Sequence, residues 1–149
     1  PQLERLVQVG VRDYSQGEWE YIKESNYRVI TYLDKEIKNR QFEGDSSKNI
    51  AEEIVSKLPH KVYTRFDIDG LDRKLCPHTG TPVPGGFELE EVFFIFKKVI
   101  ESGREIVGFD LSEVGISESD WNSNVGARVL FKLCNLLVTS NTEEAIKKY

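Results

Sequence analysis

Methionine is absent from this chain of 149 residues, and histidine and cysteine occur only twice each. Cys76 and Cys134 stand far apart and lack the spacing of a metal site, so we expect free thiols in a reducing compartment rather than a disulfide. No apolar run approaches about 18 residues, which argues against a membrane-spanning helix. The net charge is −5 and no segment is densely basic, so electrostatics do not favour nucleic acid or an anionic membrane as partner. With no signal peptide at the start, these absences predict a cytoplasmic location.

What is present fits one modest globular domain over residues 1–149. Hydrophobic residues make up 39% of the chain and charged residues 30%, as in ordinary globular proteins. The segment Leu6–Val11 already reads as a buried strand, with no lead-in and no initiator methionine before it. We therefore expect this sequence to be part of a longer polypeptide.

Strand-like and helix-like patterns alternate along the chain. Strands are predicted at Leu6–Val11, Tyr27–Thr31, Lys61–Asp67 and Ile106–Leu111. Helices are predicted at Gly17–Ser25, Leu33–Asn39, Ser46–Leu58, Glu88–Ser102 and Asn124–Thr139, with a last one starting at Thr142. This alternation predicts βαβ units and an α/β fold with a mostly parallel sheet.

Acidic side chains follow the predicted strands where each one ends. Asp67 and Asp69 are one residue apart, and side chains on a strand alternate between faces, so we expect both to point the same way. Two such carboxylates repel each other unless a cation compensates them, and a divalent metal is the usual one. The carboxyl edge of a parallel sheet is also where ligands bind. Other acids at this edge are Asp13, Asp110 and Glu113.

Three motifs follow one another between residues 66 and 114. Residues 66–72 read FDIDGLD, residues 79–86 read TGTPVPGG, and residues 108–114 read GFDLSEV. In this order they resemble the second half of the ureohydrolases, the family of arginase, agmatinase and formimidoylglutamase. The opening residues 9–13, VGVRD, also resemble that family, and the resemblance covers about residues 6–138.

The resemblance implies a three-layer α/β/α fold with two Mn²⁺ ions at the carboxyl edge of a parallel sheet. It implies hydrolysis of a C–N bond in a small guanidino or formimino substrate, and a trimer or hexamer when the protein is complete. Asp67 and Asp69 match metal ligands of the family. Glu113 matches the catalytic acid that faces the substrate cation, and Thr81 matches a hydroxyl near the substrate tail. Two divalent ions suit this reaction because together they can acidify one water near neutral pH.

Some parts of the family pattern are missing. The family needs a further His and an Asp-x-His-x-Asp motif, whereas His60 and His78 of this chain stand in other contexts. Two carboxylates cannot fill the coordination of two metals, so we predict that this chain alone cannot assemble an active centre. Arginases have a second acid where this chain has Ser15, which weakens the case for L-arginine and leaves agmatine, formiminoglutamate or another guanidino compound open.

Two other functions are compatible with parts of the sequence. A phosphohydrolase of the haloacid dehalogenase type also places Asp-x-Asp-Gly at a strand end, which would give Asp67 and Asp69 a different role, although Thr or Ser usually stands where this chain has Leu71. The second alternative is a non-catalytic module derived from a ureohydrolase. Near the first strand, we also expect Arg12 and Asp13 to form a structural ion pair.

Overall fold

Strands and helices alternate in the computed structural model, which describes residues 3–142. The strands are β1 (Leu6–Val11), β2 (Val29–Leu33), β3 (Lys61–Asp67) and β4 (Glu105–Ser112). The α-helices are α1 (Gln16–Glu24), α2 (Asp34–Phe42), α3 (Ser47–Ser56), α4 (Leu89–Glu101) and α5 (Trp121–Ser140). The helix predicted to start at Thr142 falls on residues 143–149, which lie outside the described residues.

The strands form two parallel pairs, β1 with β2 and β3 with β4. This confirms the predicted α/β class with parallel strands. Within residues 3–142 no backbone ladder joins one pair to the other. Side chains make the connection instead: Arg5 Nη1 donates a hydrogen bond of 2.8 Å to the carbonyl of Lys57, which precedes β3.

The second strand begins two residues later than the sequence predicts. Asn26 and Tyr27 have φ angles of 50° and 62°, in the left-handed region that strands do not use. The Ser25 hydroxyl then accepts a hydrogen bond of 3.1 Å from the Val29 backbone N–H, so a turn occupies these residues. Tyr27 has high strand propensity, but the turn overrides it and leaves the side chain 80% exposed.

An aromatic cluster holds β3 against α4. The ring of Phe66 lies 6.4 Å from that of Phe93 and 6.3 Å from that of Phe96, measured between centroids. Ile68, directly after the strand, is fully buried in the same core. Phe93 and Phe96 therefore pack against the core, and this packing fixes the carboxyl end of β3.

The remaining helices cover the two strand pairs. Helix α5 packs against β4, α2 contacts β1 and β2, and α3 packs on α4. None of the helices within residues 3–142 has the length and apolar composition that crossing a lipid bilayer requires.

Candidate functional site

The two aspartates of the acidic motif do not lie on one strand: Asp67 ends β3 and Asp69 lies in the turn that follows. Strand β3 ends at Asp67, and residues 68–70 form a single turn of 3₁₀ helix. The Asp67 carboxylate caps this turn, because its Oδ1 accepts a hydrogen bond of 3.0 Å from the Asp69 backbone N–H. The argument from strand alternation is therefore wrong, because the strand ends two residues before Asp69. Asp67 is exposed, whereas Asp69 is half-buried.

Asp69 has one oxygen that is satisfied and one that is not. Its Oδ2 accepts a hydrogen bond of 3.3 Å from the hydroxyl of Thr81, twelve residues later. Its Oδ1 is buried and has no hydrogen-bond partner. Buried polar atoms are nearly always paired, so an orphaned carboxylate oxygen indicates a place for a cation or an ordered donor. The Asp69 carboxylate fits the role of a metal ligand on this observation.

Glu113 stands next to the aspartates because β3 and β4 are paired. Asp67 lies opposite Ser112 in the parallel register, so Glu113 follows directly at the same edge. Its φ is 63°, a left-handed conformation that non-glycine residues rarely adopt. Such conformations cluster at functional sites, where the surrounding structure enforces them.

The Thr-Gly-Thr loop connects Glu113 with Asp69. Gly80 lies so close to the Glu113 side chain that a Cβ built on it would be 2.6 Å from Oε2. Its neighbour Thr81 is the hydrogen-bond donor to Asp69. The residues predicted from the three motifs are thus brought together by one short loop segment.

Neither histidine joins this group. His60 is exposed at the junction between α3 and β3, where its carbonyl accepts a hydrogen bond of 2.9 Å from the Glu105 backbone N–H. His78 is also exposed, and its Nδ1 lies 3.5 Å from Oδ1 of Asn122, a fully buried residue at the start of α5.

Arg12 reaches the acidic turn, which the sequence does not predict. The expected ion pair with Asp13 is wrong, since no such pair forms among the described residues. Instead, Nη1 donates a hydrogen bond of 3.3 Å to the carbonyl of Gly70, and Nη2 donates to the carbonyl of Asp69. These partners are 58 and 57 residues away, so no local pattern could have indicated them.

Ser15 is engaged in capping α1. Its backbone N–H and its hydroxyl donate hydrogen bonds of 2.7 and 2.8 Å to the same carboxylate oxygen of Glu18. The backbone hydrogen bond, helped by the hydroxyl, lowers the pKa of Glu18 below its ordinary value. Together with Asp13 and Tyr14 these residues line a shallow depression after β1. The position of the acid expected in arginases is therefore occupied by a helix cap.

The described residues do not complete a metal centre. Within residues 3–142, no group of three or more His, Cys, Asp or Glu side chains is arranged to hold a metal ion. The nearby Cys76 has its Sγ buried 3.1 Å from the carbonyl of Ile68, and burial raises its pKa to about 11. Asp67 and Asp69 offer oxygen atoms, which suit Mn²⁺ or Mg²⁺, but further ligands are needed.

Comparison with known proteins gives one consistent result. The family model described as "Arginase family" matches residues 1–135. The chain is 34% identical over 115 residues to an arginase of Emericella nidulans. This match covers 77% of the chain and 34% of that protein. It is 39% identical over 80 residues to the N(1)-aminopropylagmatine ureohydrolase of Thermococcus kodakarensis, covering 53% of this chain and 27% of that protein.

A solved structure agrees with these relatives. The arginase of Bacillus caldovelox superposes with a TM-score of 0.71 at 26% identity, over 89% of this chain and 43% of that one. The chain spans about a third of the length of the curated relatives it matches. With the family model matching nearly the whole chain and its motif residues gathered at one edge of the strands, this chain belongs to the arginase family.

Proposed function

We propose that this chain is the C-terminal portion of a manganese-dependent hydrolase that cleaves C–N bonds in small guanidino or formimino compounds. The observation that carries the proposal is the orphaned, buried oxygen of Asp69, held beside Asp67 and connected through the Thr-Gly-Thr loop to Glu113. Family membership supports the same chemistry. Ligands from the rest of the polypeptide would complete the metal set.

In this proposal, some of the described residues would bind the metal ions and others would bind the substrate. Asp67 and Asp69 would hold Mn²⁺. When bound, divalent ions supply the Lewis acidity that lowers the pKa of a water molecule to near neutrality. Glu113 would pair with the substrate cation through charge-assisted hydrogen bonds and orient its central carbon for attack. Thr81 sits between these groups and would contact the substrate tail while its hydroxyl donates to Asp69.

The depression after β1 bears on which substrate is used. Ser15 and Glu18 satisfy each other in the helix cap, so Ser15 offers no negative charge to the α-amino group of an amino-acid substrate. We therefore favour a substrate without that group, such as agmatine, over L-arginine. The proposal extends to a cytoplasmic enzyme that forms trimers or hexamers.

The alternatives make different demands on the same residues. A phosphohydrolase of the haloacid dehalogenase type would use Asp67 as its nucleophile, and it usually has Thr or Ser where this chain has Leu71. A non-catalytic module would lack the His and the Asp-x-His-x-Asp motif elsewhere in the polypeptide. Family membership favours the ureohydrolase over the phosphohydrolase.

A substrate panel on the complete polypeptide tests the proposal. The purified protein, loaded with Mn²⁺, is assayed for urea release from agmatine and L-arginine, for formamide release from formiminoglutamate, and for hydrolysis of a generic phosphate ester. We expect turnover of a guanidino or formimino compound and none of the ester. Phosphate release, or no turnover of any guanidino or formimino compound with Mn²⁺ bound, would refute the proposal.

A further inference from the structure

We propose that Arg12 is a positioning residue that sets the orientation of the Asp69 carboxylate and thereby the affinity for metal. The inference rests on the proposed function, because it concerns the same site. It adds a residue directly after β1, far away in sequence, to the group that controls the acidic turn.

The guanidinium of Arg12 holds the backbone of the turn itself. Nη2 donates to the carbonyl of Asp69, and Nη1 donates at 3.3 Å to the carbonyl of Gly70. A guanidinium presents its donors in a rigid planar fork, so two adjacent carbonyls fix its position and are fixed by it. The Asp69 side chain projects from this clamped peptide, so its direction depends on the clamp.

A second segment, at Phe87, also holds the turn. The backbone N–H of Phe87 donates a hydrogen bond of 3.0 Å to the Gly70 carbonyl, which therefore accepts from Arg12 and from Phe87. The Asp72 backbone N–H in turn donates at 2.8 Å to the Phe87 carbonyl. The turn is thus hydrogen-bonded both to Arg12 and to Phe87, the residue that follows the loop of residues 79–86.

Two glycines make room for the arginine. A Cβ built on Gly86 would lie 2.8 Å from Arg12 Nη1 and 2.6 Å from the Leu71 carbonyl oxygen, and one on Gly85 would lie 3.4 Å from Arg12 Cδ. Both glycines have φ near +100°, at 95° and 100°. The loop therefore passes so close to Arg12 that a side chain at residue 86 would displace the guanidinium.

Arg12 leaves the carboxylates of the turn free for a cation, because it binds backbone carbonyls. It places one positive charge beside the backbone of a turn that carries two carboxylates, and it does so through carbonyls rather than through those carboxylates. Oδ1 of Asp69 stays unpartnered, while Oδ2 accepts only from the Thr81 hydroxyl. An arginine that paired with the carboxylate directly would compete with a metal ion, whereas this one does not.

Arginine variants of the complete polypeptide test this role, with Mn²⁺ as the probe. The dissociation constant for Mn²⁺ is measured by electron paramagnetic resonance titration, and the melting temperature is measured in EDTA. We expect Arg12→Ala to weaken Mn²⁺ binding by about tenfold or more, as loss of a group that orients a ligand does. Arg12→Lys should recover part of the affinity, because an ammonium can donate to one carbonyl but lacks the fork.

Arg5→Ala is the matched control. Arg5 also bridges from the start of β1 to a backbone carbonyl, that of Lys57, but at the opposite end of the strands from the acidic turn. We expect its loss to lower the melting temperature while the dissociation constant stays within about twofold of wild type.

Three results would overturn the inference while leaving the proposed function standing. An Arg12→Ala protein that binds Mn²⁺ as wild type does would overturn it alone, and so would an Arg5→Ala protein that loses as much affinity. If Arg12→Ala does not fold, Arg12→Lys decides, and unchanged affinity refutes the role. A wild-type protein that binds no Mn²⁺ would instead refute the proposed function, and the inference with it.

Discussion

The hydroxyl of Thr81 donates a hydrogen bond of 3.3 Å to Oδ2 of Asp69, and this bond joins the loop of residues 79–86 to the acidic turn. The other carboxylate oxygen of Asp69 is buried and unpartnered. This combination indicates a carboxylate that is oriented by a hydrogen bond at one oxygen and is free to bind a metal ion with the other. The predictions below follow from it and from the groups around it.

Replacing Asp67 or Asp69 by asparagine should remove metal binding and leave the fold intact. We expect Asp67→Asn and Asp69→Asn in the complete polypeptide each to lower Mn²⁺ affinity and turnover by at least about 100-fold, because even loss of an outer-shell partner can cost that much. Asp72→Asn is the control, since Asp72 accepts from the Lys74 backbone N–H at 2.9 Å and asparagine can accept too. Full turnover in either of the first two variants would contradict the metal assignment.

Thr81→Val should loosen the Asp69 carboxylate. The variant removes one hydrogen bond, which contributes about 1 kcal/mol, so we expect Mn²⁺ affinity to fall by about fivefold. Thr81→Ser keeps the hydroxyl and should bind Mn²⁺ nearly as wild type does. Isothermal titration of both variants checks this, and equal affinities for the two would show that the hydrogen bond does not matter.

Gly80→Ala should disturb Glu113 rather than the metal ligands. The new Cβ would lie 2.6 Å from Oε2 of Glu113, so the carboxylate has to move. We expect KM for the substrate to rise about tenfold or more, because a small displacement of a group that positions the substrate is costly, with little change in Mn²⁺ affinity. Steady-state kinetics together with a Mn²⁺ titration separate the two effects. A loss of Mn²⁺ affinity with unchanged KM would contradict the placement of Glu113.

The Cys76 thiol should resist alkylation in the folded protein. Burial, with Asp69 nearby, raises its pKa to about 11, so at pH 8 only about one molecule in a thousand carries the reactive thiolate. Iodoacetamide should label the exposed Cys134 and leave Cys76 unlabelled, with both labelled in denaturant, as peptide mass spectrometry would report. Rapid labelling of Cys76 at pH 8 in the folded protein would contradict its burial.

The same thiol makes stability depend on alkaline pH. The raised pKa means that the unfolded chain loses this proton first, near its ordinary pKa of 9.0. The native state then binds more protons than the unfolded state, so the free energy of unfolding falls as pH rises from about 9 to about 11. Cys76→Ser should reduce this slope in urea-unfolding measurements. An unchanged slope would exclude Cys76 as its source.

The sequence by itself determined the class of fold and the motif residues of this protein. Alternating strand and helix patterns, carboxylates after β3 and β4, and the stiff TGTPVPGG loop are local features, each readable within about ten residues. They were enough to predict an α/β fold with parallel strands and membership of the arginase family, and both predictions are confirmed. The roles of Asp67, Asp69, Thr81 and Glu113 stay predictions.

Only the tertiary structure decided how those residues meet. Strand alternation cannot reveal that β3 ends at Asp67, because the buried Ile68 and the cap of the 3₁₀ turn set that end. Nor can a local pattern show that Gly80 lies against Glu113 or that Arg12 donates hydrogen bonds to the carbonyls of the turn. These contacts join residues 33 to 58 positions apart, and the packing of strands and helices, rather than the preference of any one segment, brings such residues together.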